Sequence, residues 1–592
     1  MTAPTAPRSG PATGRGCPVD LPGPEGDNSI AREPLWYAYG AGDDEPAAPD
    51  WTWTPEPPPD AHVPPPPPRG RAARTTLPLG TVDLLARMPF PRVPGPTDPD
   101  PVSGGPRSAA GPPAPGGSGV AGGLSAPGRP GAGTRATGRE GPGRAGGASV
   151  AGGSRSANDT SLSGGSPATY PLGRSADGPQ VTDPLGRALV AAFGPQRREP
   201  ENPYNDHRSY ASPRCLFPVH AFVDGGGEEP WRLLEPDLHA LTGAPGPGPG
   251  RRIALTGRYT AVPSAYKWFR GSLVAIELGI VLRALSIGLE LFGQPARLRL
   301  PDQDAHAVLD GIGLDPAWEW SLPFVLDVGD PPPAPAAGTA PDPVPSDVAR
   351  RDPALADLVR VNRSQTYAGD AVPLTTAVPA GLPASQRTPD WAELLWQRHS
   401  GRMPRALHGM TGRRRRVPAE ALDTALRWLA VPPPGPELAA AFDAVRITVV
   451  TQGVDGHEDG VHRAEAGTAG LFRRDAEAPA LLEEHYGYGV SPVNGCGIRN
   501  APMTVFLSVR PRELFARLGP AGWGAAQHAC GWAVHGLCLS AAASGLFARP
   551  VRAFKEIPVQ RVLGLDEDET IVLSAVVGVP QDTGGALLDL RL

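Results

Sequence analysis

Arg398-His399-Ser400-Gly401-Arg402 puts two guanidinium groups and a hydroxyl within five residues. Guanidinium forks bind phosphate oxygens bidentately and a serine adds a further donor, so this spacing suits a phosphate monoester. In an Arg-rich chain the same run also arises at a solvated helix end, so its placement has to decide. A second candidate is Ser264-Ala265-Tyr266-Lys267-Trp268. A lysine among aromatic rings can be desolvated, which lowers its ammonium toward the range of a general base. The plainer alternative is a lysine stem lying over an aromatic helix end. His457-Glu458-Asp459 with His462 has metal-like composition but sits in a Gly/Asp loop, and no metal site is expected there. Arg413 to Arg416 read as a solvated turn or as an anchor for an acidic peptide. Cys496 lies in a turn-like NGCGIRN stretch with no histidine placed to activate it.

The elements that carry these residues are separated by low-complexity sequence. Gly 75 and Pro 77 together make about a quarter of the 592 residues, and they are concentrated in a few stretches. Residues 1–65 are Pro/Gly/Asp-rich and are expected to be a disordered segment, because they bury too little apolar surface to offset ordering entropy. Residues 66–95 hold a short amphipathic island, residues 96–195 read as a low-complexity insertion, and 331–388 as a linker. Two globular blocks remain, 196–330 and 389–592.

Strand-like runs fall at 215–224, 252–259 and 323–329 in the first block, and at 445–449, 501–509 and 570–579 in the second. The apolar stretch Ser272 to Gly293 contains Glu277, Arg283 and Glu290 and reads as a buried helix, not a membrane span. Asp390 is placed to cap a helix with Glu393 as its capping-box partner, and a second helix is expected at VPAEALDTALRWLA. Strands and helices without strict alternation indicate an α+β fold.

The net charge of −6 gives no reason to expect nucleic acid or an anionic membrane as partner. Five cysteines with no CxxC pair argue against structural zinc and fit a reducing cytoplasm, and the N-terminus lacks the apolar core of a signal peptide.

The blocks also repeat one another. Gly279 and Gly293 bracket an apolar helix as Gly531 and Gly545 do, and Gly279 and Gly531 lie 252 residues apart. Asp315 pairs with Asp566 and Gly329 with Gly578 at nearly the same offset. Ordered matches at near-constant spacing point to duplication.

This repeated pattern resembles the C-terminal half of the nitroreductase family. The run Arg398 to Arg402 resembles that family's flavin-phosphate signature at its expected place. Ser212-Pro213-Arg214-Cys215-Leu216-Phe217-Pro218 is similar to a Ser-containing stretch of the SagB-type azoline dehydrogenase branch, with Arg214 where that stretch has Gly. The Tyr266/Lys267 pair resembles, in inverted order, the Lys-Tyr pair of the same branch.

The resemblance implies two nitroreductase-like domains in tandem, forming an intrachain pseudo-dimer that binds FMN. Arg398, Ser400, Arg402, Gly545, Arg549 and Arg552 would serve the phosphate side. Ser212, Pro213 and Arg214 would come from the other block, and Lys267 and Tyr266 would be catalytic. One position has good parts from both blocks. The opposite one has only Arg69-Gly70-Arg71-Ala72-Ala73-Arg74, which lacks a serine, and the proline-rich VPPPGPE, so one flavin per chain is expected. The implied substrate is a modified precursor peptide whose thiazoline or oxazoline rings are oxidised, with a cyclodehydratase complex as candidate partner. The alternatives are an NAD(P)H:FMN oxidoreductase acting on small molecules, and a non-catalytic peptide-presenting protein.

Overall fold

The computed structural model describes residues 73–91, 184–200, 206–224, 231–243, 252–302, 304–329, 344–380, 382, 389–401, 412–465, 467–486, 497–580 and 587–592. The segments 1–65 and 96–183 lie outside them, as does Cys496.

Two antiparallel sheets flank a pair of long helices. The first block contributes β1 (Arg74–Thr76), β2 (Pro195–Arg198), β3 (Asp206–Arg208), β4 (Val219–Asp224), β5 (Trp231–Glu235), β6 (Ala240–Thr242), β7 (Arg252–Gly257), β8 (Ala296–Arg299) and β9 (Phe324–Val328). A further strand, β10 (Val372–Pro373), follows. The second block contributes β11 (Gly412–Arg413), β12 (Arg446–Thr451), β13 (Gly460–Glu465), β14 (Thr468–Arg474), β15 (Met503–Val509), β16 (Phe547–Val551), β17 (Thr570–Pro580) and β18 (Leu588–Asp589). The first sheet runs β1-β6-β5-β4-β7-β9-β8-β10. The second runs β11-β17-β15-β12-β13-β14, with β16 also on β17. The order β5-β4-β7-β9-β8 is therefore repeated as β13-β12-β15-β17-β16. β18 joins β2 and β3 in a small third sheet, tying the C-terminal residues to the first block.

The two core helices are Phe269–Leu291 and Gly522–Ala543, apolar on every side and buried along nearly their whole length. The first is long and apolar enough to cross a membrane, but 89% of its apolar window is buried inside the protein, as expected from its charged residues. The helices cross at glycines. A Cβ at Gly279 would lie 2.0 Å from the His528 carbonyl oxygen, and one at Gly531 would lie 2.0 Å from that of Ile276. Residues 276 and 528 are separated by the same 252 positions as the two glycines, so the contact is reciprocal. Gly293 and Gly545, at φ +62° and +69°, follow the two helix ends in the left-handed conformation that glycine adopts without strain. The third sequence match is offset by one. Val328 and Gly578 hold equivalent strand positions, opposite Ala296 and Phe547, and Gly329 follows the strand.

Arg283 joins the halves. Its guanidinium donates to the carbonyls of Ala377 (3.0 Å), Trp428 (3.1 Å) and Trp532 (2.9 Å), between the Trp428 and Trp532 rings. Burial, with no carboxylate partner among the described residues, pulls it down to about 9.

Two boundaries move. Residues 344–380, within the expected linker, form helices Ser346–Arg351 and Pro353–Arg363 and pack Leu355, Leu358 and Val359 into the core. Asp352 caps the second of these by accepting from the Leu355 amide, with Pro353 at its first turn. The proline-rich opening of this stretch concealed an ordinary helix start. Helix Pro184–Phe193 lies inside the stretch assigned to the insertion, because PLGRALVAAF carries enough apolar residues to cover the first core helix.

Candidate functional site

Helix Trp391–Gln397 delivers the phosphate-type signature. Asp390 accepts from the Glu393 amide at 2.7 Å, but the Glu393 carboxylate bonds Gln397 and does not return to the cap, so only half of the expected capping box forms. At the other end the buried Arg197 of β2, braced by Glu199 at 3.1 Å, donates to the Trp396 carbonyl and reaches that of Arg398 at 3.5 Å. A cation on these last carbonyls complements the helix dipole and fixes where the chain exits.

Arg398 is 3% exposed. Its Nε and Nη2 donate to the Arg208 carbonyl at 3.3 and 3.0 Å. Its Nη1 is buried with no hydrogen-bond partner among the described residues. Burial lowers the Arg398 guanidinium from its ordinary value, with Cys538, Cys215 and Glu199 opposing the shift. The His399 carbonyl accepts from the Ala548 amide of β16 at 3.3 Å, and Ser400 is half-buried beside it. Arg402 lies outside the described residues.

From the first block comes the turn Ser212–Phe217. Arg214, Cys215 and Phe217 have φ of +50°, +54° and +48°, so Arg214 stands in a conformation that favours glycine. Pro213 and Arg214 are half-buried. The Ser212 hydroxyl accepts from the Phe217 amide at 2.8 Å and lies 2.7 Å from Oε2 of Glu277 on the first core helix. Arg208 stacks over the Phe217 ring at 4.1 Å. Burial pushes the Cys215 thiol up to about 12, opposed by Arg398. On the second core helix, burial and the charges of Arg283 and Arg398 hold His535 well below the usual imidazole range, and its Nδ1 is buried without a hydrogen-bond partner among the described residues. The structure thus sets Arg398 against the first block, through the Arg208 carbonyl and close to Cys215, while Ser400 follows the His399 contact with β16.

Two of the expected phosphate residues sit differently. Gly545 follows the carbonyl end of a helix, the wrong pole for an anion, and its backbone role is to end that helix. Arg552 is 2.8 Å from Glu556, with its guanidinium over the Phe554 and Phe269 rings, so its charge is already committed. Arg549 is half-buried on β16, next to the Ala548 that bonds His399.

Tyr266 is half-buried against the main core, but Lys267 is exposed, so of the two readings of this lysine the desolvated one is not found. Its backbone is unusual, at φ +47° and ψ −127°. The Lys267 amide donates to the Ser264 carbonyl at 2.8 Å, and the Lys267 carbonyl accepts from Arg270 at 2.8 Å. Arg270 is itself anchored on Asp352 at 2.7 Å.

Elsewhere, Arg413 to Arg416 are exposed and Arg416 pairs with Asp455 at 2.8 Å. His457 lies 4.0 Å from Asp423, and among the described residues no three His, Cys, Asp or Glu side chains form a metal-type group. A cavity of about 30 Å³ beside Tyr259, Asn362, Gln365, Tyr367 and His528 has room for water only and shares no residue with the Arg398 cluster.

Glu277, Arg197, Arg208 and His535 were not legible as site residues. Glu277 registered only as a charge interrupting an apolar run, and the two arginines sit in no motif.

No curated protein matches the chain. A crystal structure named as a nitroreductase from Anabaena variabilis aligns at 18% identity and TM-score 0.50, over 67% of this chain and 88% of its own. The E. coli microcin synthetase McbBCD complex, with truncated pro-MccB17 bound, aligns at 12% identity and TM-score 0.25, over 28% of this chain and 65% of its own. One from Ralstonia eutropha, also named as a nitroreductase, aligns at 16% and 0.23, over 34% and 88%. The last two scores are too low to bear on the fold. Residues 413–579 match the Nitroreductase family model. Residues 413–579 therefore carry a nitroreductase-type fold.

Proposed function

We propose that this chain is an FMN-dependent oxidoreductase built as a tandem pseudo-dimer, with one flavin held where Arg398 of the second block meets Ser212–Cys215 of the first. The observation that carries this reading is the buried Nη1 of Arg398, which has no hydrogen-bond partner among the described residues. A buried guanidinium N–H without an acceptor is costly, and a phosphate oxygen would satisfy it with a charge-assisted bond. The residues present fit the group: Arg398 and Ser400 on the phosphate, Arg549 bordering them, and the Ser212–Arg214 turn from the opposite block. The repeated strand order and the reciprocal glycine crossing support duplication.

The second position supports a single flavin. By the same offset, Arg283 corresponds to His535, and β8 to β16. There the Ala377 carbonyl lies on Arg283 and the Leu374 amide bonds Ala296, much as Arg398 faces His535 and His399 bonds Ala548. Residues 372–378 read VPLTTAV and offer no cation.

The substrate proposed is an azoline ring in a ribosomally made peptide, supported by the likeness of the Ser212 turn and the Tyr266/Lys267 pair to the azoline dehydrogenase branch. Oxidation to the azole removes a proton from one ring carbon and a hydride from its neighbour. Bound FMN would supply the hydride acceptor, and oxygen its reoxidation. Lys267 would take the proton, and Tyr266 would flank the ring.

Arg398→Ala should weaken FMN binding by about 1.5–3 kcal/mol, roughly 10- to 150-fold, with excess FMN partly restoring activity. Arg398→Lys, which keeps the charge without the fork, should fall between. Fluorescence titration of the full chain measures this. Unchanged affinity in Arg398→Ala would place the phosphate elsewhere.

A further inference from the structure

On the reading that this site holds a flavin, we propose that Glu277 is a positioning residue that turns the Ser212 hydroxyl outward as a donor to the bound cofactor. A hydroxyl has one proton and two lone pairs. One lone pair of Ser212 takes the Phe217 amide at 2.8 Å. The other lone pair and the proton are divided between Glu277, 2.7 Å away, and the open side of the turn. A protonated Glu277 donates to Ser212, whose own proton is then free to point outward. An ionised Glu277 draws that proton inward and leaves a lone pair facing the ligand.

The surroundings of Glu277 favour the protonated form. It is fully buried on the first core helix, and its other hydrogen-bond contact is the Val219 amide at 3.4 Å. Arg208 is the cation that acts on it from the first block. The nearby Tyr210 phenol and Cys215 thiol are both pushed upward by burial and stay neutral. Desolvation outweighs Ser212, Val219 and Arg208 and carries the Glu277 carboxyl up to about 8. The equivalent position on the second core helix is Ala529. The carboxyl therefore exists only at the position that also has Arg398.

The test is FMN titration of the full chain from pH 6 to 9.5. Wild type should bind about tenfold more weakly once the pH passes 8, as Ser212 loses its outward proton. Glu277→Gln, whose amide can donate to Ser212 permanently, should keep the neutral-pH affinity with no step near 8. Ser212→Ala should be weak throughout, also without the step. The ligand's own titration is common to all three, so the difference between profiles isolates Glu277. Tight wild-type binding with no step, or a step retained in Glu277→Gln, would overturn this inference and leave the flavin reading standing. Absence of FMN binding by wild type at every pH would overturn both.

Discussion

Lys267→Ala should keep its flavin and lose turnover by about 10²–10⁴-fold, the usual contribution of a positioned general base. The case rests on how the residue is held. A non-glycine at φ +47° and ψ −127° costs backbone strain of about 1–3 kcal/mol and persists only when its neighbours over-determine it. Here they do: the Ser264 carbonyl fixes the Lys267 amide, and buried Arg270, anchored on Asp352, fixes its carbonyl. Asp352 lies in residues 344–380, so that segment helps to set the lysine. Lys267→Gly separates strain from chemistry. It should be at least as stable as wild type and as slow as Lys267→Ala. Stopped-flow reduction of the flavin by an azoline peptide is the measurement. A normal rate in Lys267→Ala would make the Tyr266/Lys267 pair structural. If NADH or NADPH reduced wild-type flavin and an azoline peptide did not, the small-molecule reading would replace the peptide one.

Gly531→Val should cost about 3 kcal/mol or more in stability, and Gly279→Val a similar amount. In each case the added Cβ falls 2.0 Å from a backbone carbonyl oxygen of the opposite core helix, so relief requires the helices to separate. That movement would open the packing around Arg283, whose guanidinium bonds Trp532 one residue beyond the Gly531 crossing. Denaturant unfolding of both variants measures the cost. A midpoint near that of wild type for either one would show that the crossing is not as tight as described. A large cost at one glycine alone would contradict its reciprocity.

The strands and core helices were legible because their residues follow periodic patterns. Helix Ala419–Leu429, with Leu422, Leu426 and Leu429 buried, and strands β12, β15 and β17 fall where hydrophobic spacing placed them. Residues 215–217, which lie in a turn with positive φ at Arg214, Cys215 and Phe217, read as the start of a strand, because CLFPVHAFVD is largely apolar and nothing in residue type marks Arg214 or Cys215 for positive φ. The helices at 346–363 were hidden behind a proline run that dominates local composition. At the site, sequence showed the signature residues but not what orients them. Arg197 and Arg208 act through backbone carbonyls across long sequence separations, and such contacts leave no motif. For Lys267 the sequence left two readings, desolvation among aromatic rings or a stem lying over a helix end, and the residue is exposed.

The central claim is that two nitroreductase-like blocks build one working flavin position, with Arg398 on the phosphate. Purified full-length chain, reconstituted with excess FMN and desalted, can be assayed for flavin absorbance against protein concentration. The account predicts about one FMN per chain, falling sharply in Arg398→Ala. Two per chain would contradict the asymmetry attributed to residues 372–378, and none would contradict the flavin site itself.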